Sequence, residues 1–443
     1  MFRVRWRVLA MLFLLSTITY LDRVAISTTA PAMMKELGLT PAQMGWVFSI
    51  FVFGYALFEI PGGWMADRWG ARAVLTRIVL WWSFFTAATA YAWSFGSMLM
   101  VRLLFGVGEA GAFPSCASSV AHWFPKVERA RAQGTLLTGT RIGGAIAPGL
   151  VVVIMGRFGW RPVFLIFAGA GAVWAAGWYL WYRNTPAQHR AVTKTEIAEI
   201  DPLPDATRPA VDWARLMESR NLWAICLMYS CYSFGLYFYL TWLPTYLLNA
   251  RGVTVSMLGL WAGLPLLCGA LSNVAGGWIS DHVSRRAGLK WGRRLPAGAG
   301  LLLSSVLLLV SLALPGAGAA LMAMVASFAC ADLILGPAWA TCLDIGKEQA
   351  GTVTGCMNSF GQIGGFLSPI VFGWAVSRLA SWTVPLVLTA GLYFVSACMW
   401  MVIDPEEPLV EHGLRTGLRP WGDVDVPAQT WRSAPRGPND TVL

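Results

Sequence analysis

Twelve apolar stretches, each close to the roughly 20 residues a helix needs to cross a hydrocarbon layer, constrain this chain more than any other feature. Polar residues or Pro/Gly breaks mark them off near 8–28, 44–65, 73–93, 97–120, 132–156, 160–182, 221–248, 255–280, 295–314, 318–341, 350–377 and 382–403. The faintest boundary lies in 295–341, divided only by Pro315-Gly316-Ala317-Gly318. Hydrophobic residues make up 56% and charged ones 13%, with a mean hydropathy of +0.56, too little polar material to cover a water-soluble surface. The expected fold class is an all-α membrane protein with twelve transmembrane helices.

A net charge of +10 alone would suit nucleic acid, but the placement of the basic residues points elsewhere. With the N-terminus inside, the N-terminus, the even-numbered connections and the tail hold 25 of the 33 Lys and Arg residues. The opposite side holds five: Lys35, Arg157, Arg161, Arg251 and Arg378. This is the positive-inside bias, and it predicts a multi-pass protein of a bacterial cytoplasmic membrane with both termini in the cytoplasm. Membrane lipid is then its surroundings, with no nucleic-acid partner and a monomeric chain. Arg3, Arg5 and Arg7 ahead of an apolar run look like a secretory signal. The run continues into Tyr20-Leu21-Asp22-Arg23 without a small-x-small cleavage site, so it reads as the first span. Eight cysteines, none in a CxxC pair, fall in or at the ends of spans and suggest neither a disulfide framework nor a metal site.

The mixed-charge stretch 183–220, with Asp201-Pro202-Leu203-Pro204-Asp205, interrupts the apolar pattern and leaves six spans on either side. The predicted organisation is a bundle over 1–182, a linker over 183–220, a second bundle over 221–403 and a tail over 404–443 expected to be disordered. An internal repeat supports it. Gly62-Gly63-Trp64-Met65-Ala66-Asp67-Arg68 followed by Arg72 recurs as Gly276-Gly277-Trp278-Ile279-Ser280-Asp281-His282 followed by Arg286. Gly134, Ile142-Gly143-Gly144 and Pro148 recur as Gly355, Ile363-Gly364-Gly365 and Pro369. Glycines at the ends of the second and eighth spans let helices approach closely, and Asp67 and Asp281 are placed to accept donors from the next helix. Gly63, Asp67, Arg68, Arg72, Gly277, Asp281 and Arg286 are therefore candidate gating residues. The Gly/Pro-rich fifth and eleventh spans are expected to bend and pack where the two halves meet.

The segment Gly63 to Arg72 closely resembles the loop signature of the major facilitator superfamily. Ile18-Thr19-Tyr20-Leu21-Asp22-Arg23-Val24, Gly54 through Trp64, Arg102 through Ala110, His122-Trp123-Phe124-Pro125 and Thr241 through Leu247 resemble its anion:cation symporter branch, which includes carriers of hexuronate, galactonate, glucarate and phthalate. The resemblance runs from about residue 5 to residue 403. It implies two pseudo-symmetric six-helix bundles and a transporter rather than an enzyme. Glu59, Gly111 and Arg141 depart from the branch's usual pattern.

Charges at mid-membrane cost roughly 2.5–3.5 kcal/mol on insertion scales, so buried ionisable groups face a cavity or a partner. Asp22, Arg23, Glu59, Arg102, Glu109, Arg141 and Asp332 are those groups. Arg102 and Glu109 are two helical turns apart and point the same way. By resemblance Asp22 and Glu109 are the proton-coupling carboxylates, the alternative being permanent salt bridges to Arg23 or Arg102. Arginine's planar fork suits a carboxylate, which makes Arg102 and Arg141 candidate partners of a small anionic substrate. Pairing of Arg141 with Glu59 or Glu109 is the alternative. Arg23 is expected on a different face from Asp22, as a gate at the substrate site. Tyr20, Tyr55, Asn358 and Gln362 are the candidate neutral ligands, with Tyr229, Tyr232, Tyr237 and Tyr239 as possible contributors. Asp332 is expected to serve packing or hydrogen bonding. The resulting expectation is proton-coupled import of a small organic acid, with the proton as coupling ion and no other cofactor. An exporter or exchanger and a non-transporting solute sensor are the alternatives.

Overall fold

The computed structural model describes residues 3–200, 213–346 and 350–407. The expectations for Asp201 to Asp205, Lys347 and the tail beyond residue 407 lie outside the described residues, as do the surroundings of Gly63 and the side chain of Asp67.

Helices Val4–Leu37, Pro41–Trp69 and Ala71–Thr89 form the first three spans. The fourth is split into Phe95–Glu109 and Ala112–Trp123, and Lys126–Phe158 and Arg161–Trp181 complete the first six. The seventh comprises Arg220–Thr241 and Leu243–Asn249. Val255–Ala313 holds the eighth and ninth, the tenth is split into Ala317–Asp332 and Leu335–Gly346, and Ala350–Leu379 and Thr383–Val402 are the last two. Local sequence explains several starts. Thr40 and Gln43 form a reciprocal capping box ahead of Pro41, whose missing N–H is harmless in a first turn, and Ser94 and Ser97 do the same for the fourth span.

Among the described residues, ten stretches are long and apolar enough to cross a membrane, two fewer than the twelve read from the sequence. Both differences have a physical source. Val255–Ala313 counts once although its 59 residues, at 1.5 Å each, far exceed one crossing. It is broken at Gly288, whose φ of 85° and ψ of 164° are not helical. Ala71–Thr89 is 19 residues long, but Arg72, Arg77 and its tryptophans dilute its hydropathy.

The repeat is visible in the packing. The first span packs on the fifth and the seventh on the eleventh, in both cases through a glycine without room for a side chain. A Cβ on Gly143 would lie 2.3 Å from the Thr17 carbonyl oxygen, and one on Gly364 2.0 Å from that of Ser230. The glycines expected at the seam of the halves thus mostly serve contacts within a half: Gly139 and Gly143 meet the first span, and Gly361, Gly364 and Gly365 the seventh. The next face round, through Gly144 and Leu266, reaches across. The seam itself is built by the second span against the eleventh and the fifth against the eighth. Gly45 lies against the Pro369 carbonyl, Gly373 against that of Pro41, Gly263 against that of Ala145 and Gly259 against Gly149. The Ala42 N–H donates to Ser377 Oγ at 2.8 Å and Ser49 Oγ to the Phe366 carbonyl at 2.7 Å. All of these contacts lie toward the end of the molecule opposite its N-terminus.

Candidate functional site

The fourth and tenth spans are interrupted at matching places, each immediately after a carboxylate. Glu109 closes Phe95–Glu109 and Asp332 closes Ala317–Asp332. Backbone that leaves the helix at membrane depth is tolerated only where protein covers it. Here the second and eighth spans cover it with their paired glycines. A Cβ on Gly62 would sit 2.5 Å from Gly111 Cα, and one on Gly336 2.7 Å from Gly277 Cα. Gly111 makes the turn with a φ of 84°, open to glycine without strain.

Glu109 is 1% exposed and accepts from Arg23 Nε at 2.5 Å. Of the salt bridges open to Glu109 in the sequence, the structure makes the one to Arg23. The side chain is long enough to turn from the first span toward the fourth, and the Arg23 guanidinium stands over the rings of Tyr55, Phe51 and Tyr20 at 4.7, 5.1 and 5.3 Å. Arg102 is 3% exposed and stands over Phe105 and Phe51 at 4.4 and 5.1 Å, its Nε without a hydrogen-bond partner among the described residues. Asp22 is 2% exposed, and neither carboxylate oxygen has such a partner. Glu109 and Arg102 are the charged groups acting on it. The first, second and fourth spans therefore bring Tyr20, Asp22, Arg23, Tyr55, Arg102 and Glu109 into one buried group. The aromatic floor made by Phe51 and Phe105 was missed in the sequence, although the spacings Phe51/Tyr55 and Arg102/Phe105 place each pair on one helical face.

Arg141 lies elsewhere along the seam. It pairs with neither Glu59 nor Glu109 but with Asp332, Nη2 to Oδ2 at 3.0 Å, and Tyr232 donates to the other carboxylate oxygen, Oδ1, at 2.5 Å. Glu59 accepts instead from Asn358 Nδ2 at 3.2 Å, across the second and eleventh spans. Gln362 Oε1 accepts from Tyr237 at 3.2 Å, and Tyr237 is in electrostatic reach of Arg23, Tyr20 and Glu109, so Gln362 borders the first group. Tyr239 donates to the Met324 carbonyl and belongs to helix packing.

Among the candidate gating residues, Arg72 stays within its half: its Nε donates to the Tyr179 carbonyl at 2.8 Å and its guanidinium covers that ring at 4.5 Å. Arg68 is exposed and stacks on Trp64. Asp281 accepts from Arg293 of the next helix at 3.2 Å, and Arg293 also reaches Asp344 at 2.9 Å. Arg286 is exposed, so the cation holding Asp281 is Arg293, which sequence reasoning had counted only as a loop charge.

The sequence profile of the Major Facilitator Superfamily matches residues 12–369. The chain belongs to this superfamily. A probable sulfoacetate transporter of Cupriavidus necator is 35% identical over 91% of this chain and 94% of its own length. The hexuronate transporter of Bacillus subtilis is 31% identical over 90% and 94%, and a probable galactarate/D-glucarate transporter of the same organism 32% identical over 88% and 89%. In three dimensions the superfamily fold is matched by the crystal structure of a bacterial homolog of the human lysosomal transporter Spinster. Its TM-score is 0.73 at 22% identity, with 90% of this chain and 98% of that one covered. These matches fit the twelve-helix architecture and the symporter branch indicated by the sequence motifs.

Proposed function

We propose that this protein is a secondary active transporter that imports a small organic anion, a sugar acid or a related carboxylate, together with protons. The observation that carries the reading is the buried group in the first half, where two carboxylates and two guanidiniums share one apolar, aromatic-lined space. Arg102 offers an anion a permanent charge with donor capacity to spare. Asp22 and Glu109 are the carboxylates that carry the protons, Glu109 taking one when Arg23 turns from it toward substrate. Neutral ligands for hydroxyl groups come from Tyr20, Tyr55, Gln362 and Asn358. The relatives' names point to the same solute class.

The glycine contacts of the seam close the end opposite the N-terminus, and Arg141–Asp332 and Glu59–Asn358 tie the halves farther along. With the positive-inside orientation, both termini lie in the cytoplasm and the glycine-packed end faces outward. Alternating access then requires the second and eleventh, and the fifth and eighth, spans to part there while the repeated segments around Asp67 and Asp281 close the other end. The test is uptake by proteoliposomes of labelled D-glucuronate, D-galactonate, galactarate and sulfoacetate, with and without an inward proton gradient. Accumulation of at least one acid that collapses with the gradient is expected; transport of none, or transport indifferent to the gradient, refutes the reading.

A further inference from the structure

Arg23 and Arg141 are each held by the carboxylate that closes the first segment of a broken span, and both arginines act on Tyr20. The Arg23 guanidinium stands 5.3 Å from the Tyr20 ring centroid, and Arg141 lies within electrostatic reach of the same side chain. The pairs differ in how they are made. Arg23–Glu109 joins the first and fourth spans within one half, whereas Arg141–Asp332 joins the fifth span to the tenth across the seam. Asp332 is fully buried and Arg141 8% exposed, so neither has water to replace a lost partner. Asp332 is also gripped from its own half by Tyr232, and it fits because the eighth span has no side chain at Gly269, where a Cβ would meet Oδ2 at 2.5 Å. The other ionisable groups around the pair are Tyr20, Tyr229, Tyr232 and Tyr393. No second cation balances Asp332 among them.

We propose that Arg141 is a second anion subsite, filled in this structure by the protein's own Asp332, and that the substrate is a doubly charged acid whose distal acidic group takes Asp332's place on Arg141. This rests on the transport reading above and deepens it. The proximal acidic group binds in the Arg102/Arg23 group, and the molecule reaches past Tyr20 to the seam. When the distal group binds, Asp332 keeps its bond to Tyr232 and withdraws from Arg141 as the neutral acid, since a carboxylate left there unpaired is costly. Because Asp332 belongs to the other half, exchanging it for a group on the substrate unties the two halves at that point. A singly charged acid lacks the group that makes this exchange.

Galactarate and D-galactonate separate the outcomes, because they share one carbon skeleton and differ by one carboxylate. Binding of each to the purified full-length protein in nanodiscs is measured by calorimetry. The expected result is about tenfold or tighter binding of galactarate, the worth of one charge-assisted hydrogen-bonding group. In the charge-neutral double variant Arg141→Gln/Asp332→Asn this preference disappears, galactarate losing about ten times more affinity than D-galactonate. Arg141→Lys, which keeps the charge and the pairing but loses the fork, retains part of the preference. Asp332→Asn alone removes the internal competitor and tightens galactarate. Equal binding of the two acids to the wild type, a double variant that weakens both equally, or weaker galactarate binding to Asp332→Asn overturns the proposal. Binding of neither of these acids, nor of D-glucuronate or sulfoacetate, refutes the transport reading itself.

Discussion

The first half of the molecule gathers its charges and the second half disperses them. Asp22, Arg23, Arg102 and Glu109 share one enclosure between the first, second and fourth spans, while in the second half Asp332 stands alone at the equivalent break and borrows its cation from the fifth span. The helix framework is nevertheless the same on both sides, down to the glycine contacts of Gly143 and Gly364. A duplicated scaffold has thus kept its packing while its polar content diverged. In the proposed transport cycle an ion pair inside one half would survive a rocking motion of rigid halves, and a pair across the seam would have to be broken and remade. On this view the first half holds the coupling chemistry, and the second contributes a partner that reports on whether the halves are joined.

The largest expected effect separates the two pairs. Arg23→Gln leaves Glu109 buried with no cation at hydrogen-bond distance and should destabilise the protein by about 3–5 kcal/mol. Arg141→Gln should cost less, because Tyr232 still donates to Asp332 and a hydrogen bond to a charged group contributes about 1.5–3 kcal/mol. Thermal unfolding of both variants in one detergent ranks them, and equal losses would mean that the pairs are equivalent after all. Next come the shared contacts. Gly143→Ala and Gly364→Ala push a methyl group against a backbone carbonyl and should each cost about 1–3 kcal/mol. Gly156→Ala, with nothing within 4 Å, serves as the control. Unequal losses at the two sites would break the claim that packing is preserved between the halves.

The smallest effect lies outside the membrane. Lys290 donates to Asp404 at 2.5 Å and holds its carboxyl below the usual aspartate range. A carboxyl with a lowered folded-state pKa stabilises above its unfolded value and loses that contribution as the pH falls through the folded one. Exposure limits the pair to about 0.5 kcal/mol. Asp404→Asn should therefore lower the unfolding temperature slightly at neutral pH, with the difference fading below about pH 4. A difference that persists in acid would assign the effect to the backbone ties between Asn221 and Asp404 instead.

The spans, the repeat and the first-half charges were legible in the sequence because each has a local signature: apolar run length, a recurring glycine pattern, and Arg102 and Glu109 spaced two turns apart. What escaped has none. No spacing rule links Arg141 to Asp332, 191 positions away in the chain; only the folded seam joins them. Arg23 and Arg102 stood as equal alternatives for Glu109 in the sequence, because a long guanidinium side chain can bend to a neighbour's face and no spacing rule selects between them. Arg293 looked like one basic residue among several in a loop until the ninth span placed it beside Asp281 and Asp344.

The role of Glu109 is the point on which the account turns. Counterflow and gradient-driven uptake of the same labelled acid, measured side by side on Glu109→Gln proteoliposomes, test it most directly. The account predicts that exchange down a solute gradient persists while uphill accumulation is lost. Uphill accumulation that survives in Glu109→Gln would contradict it.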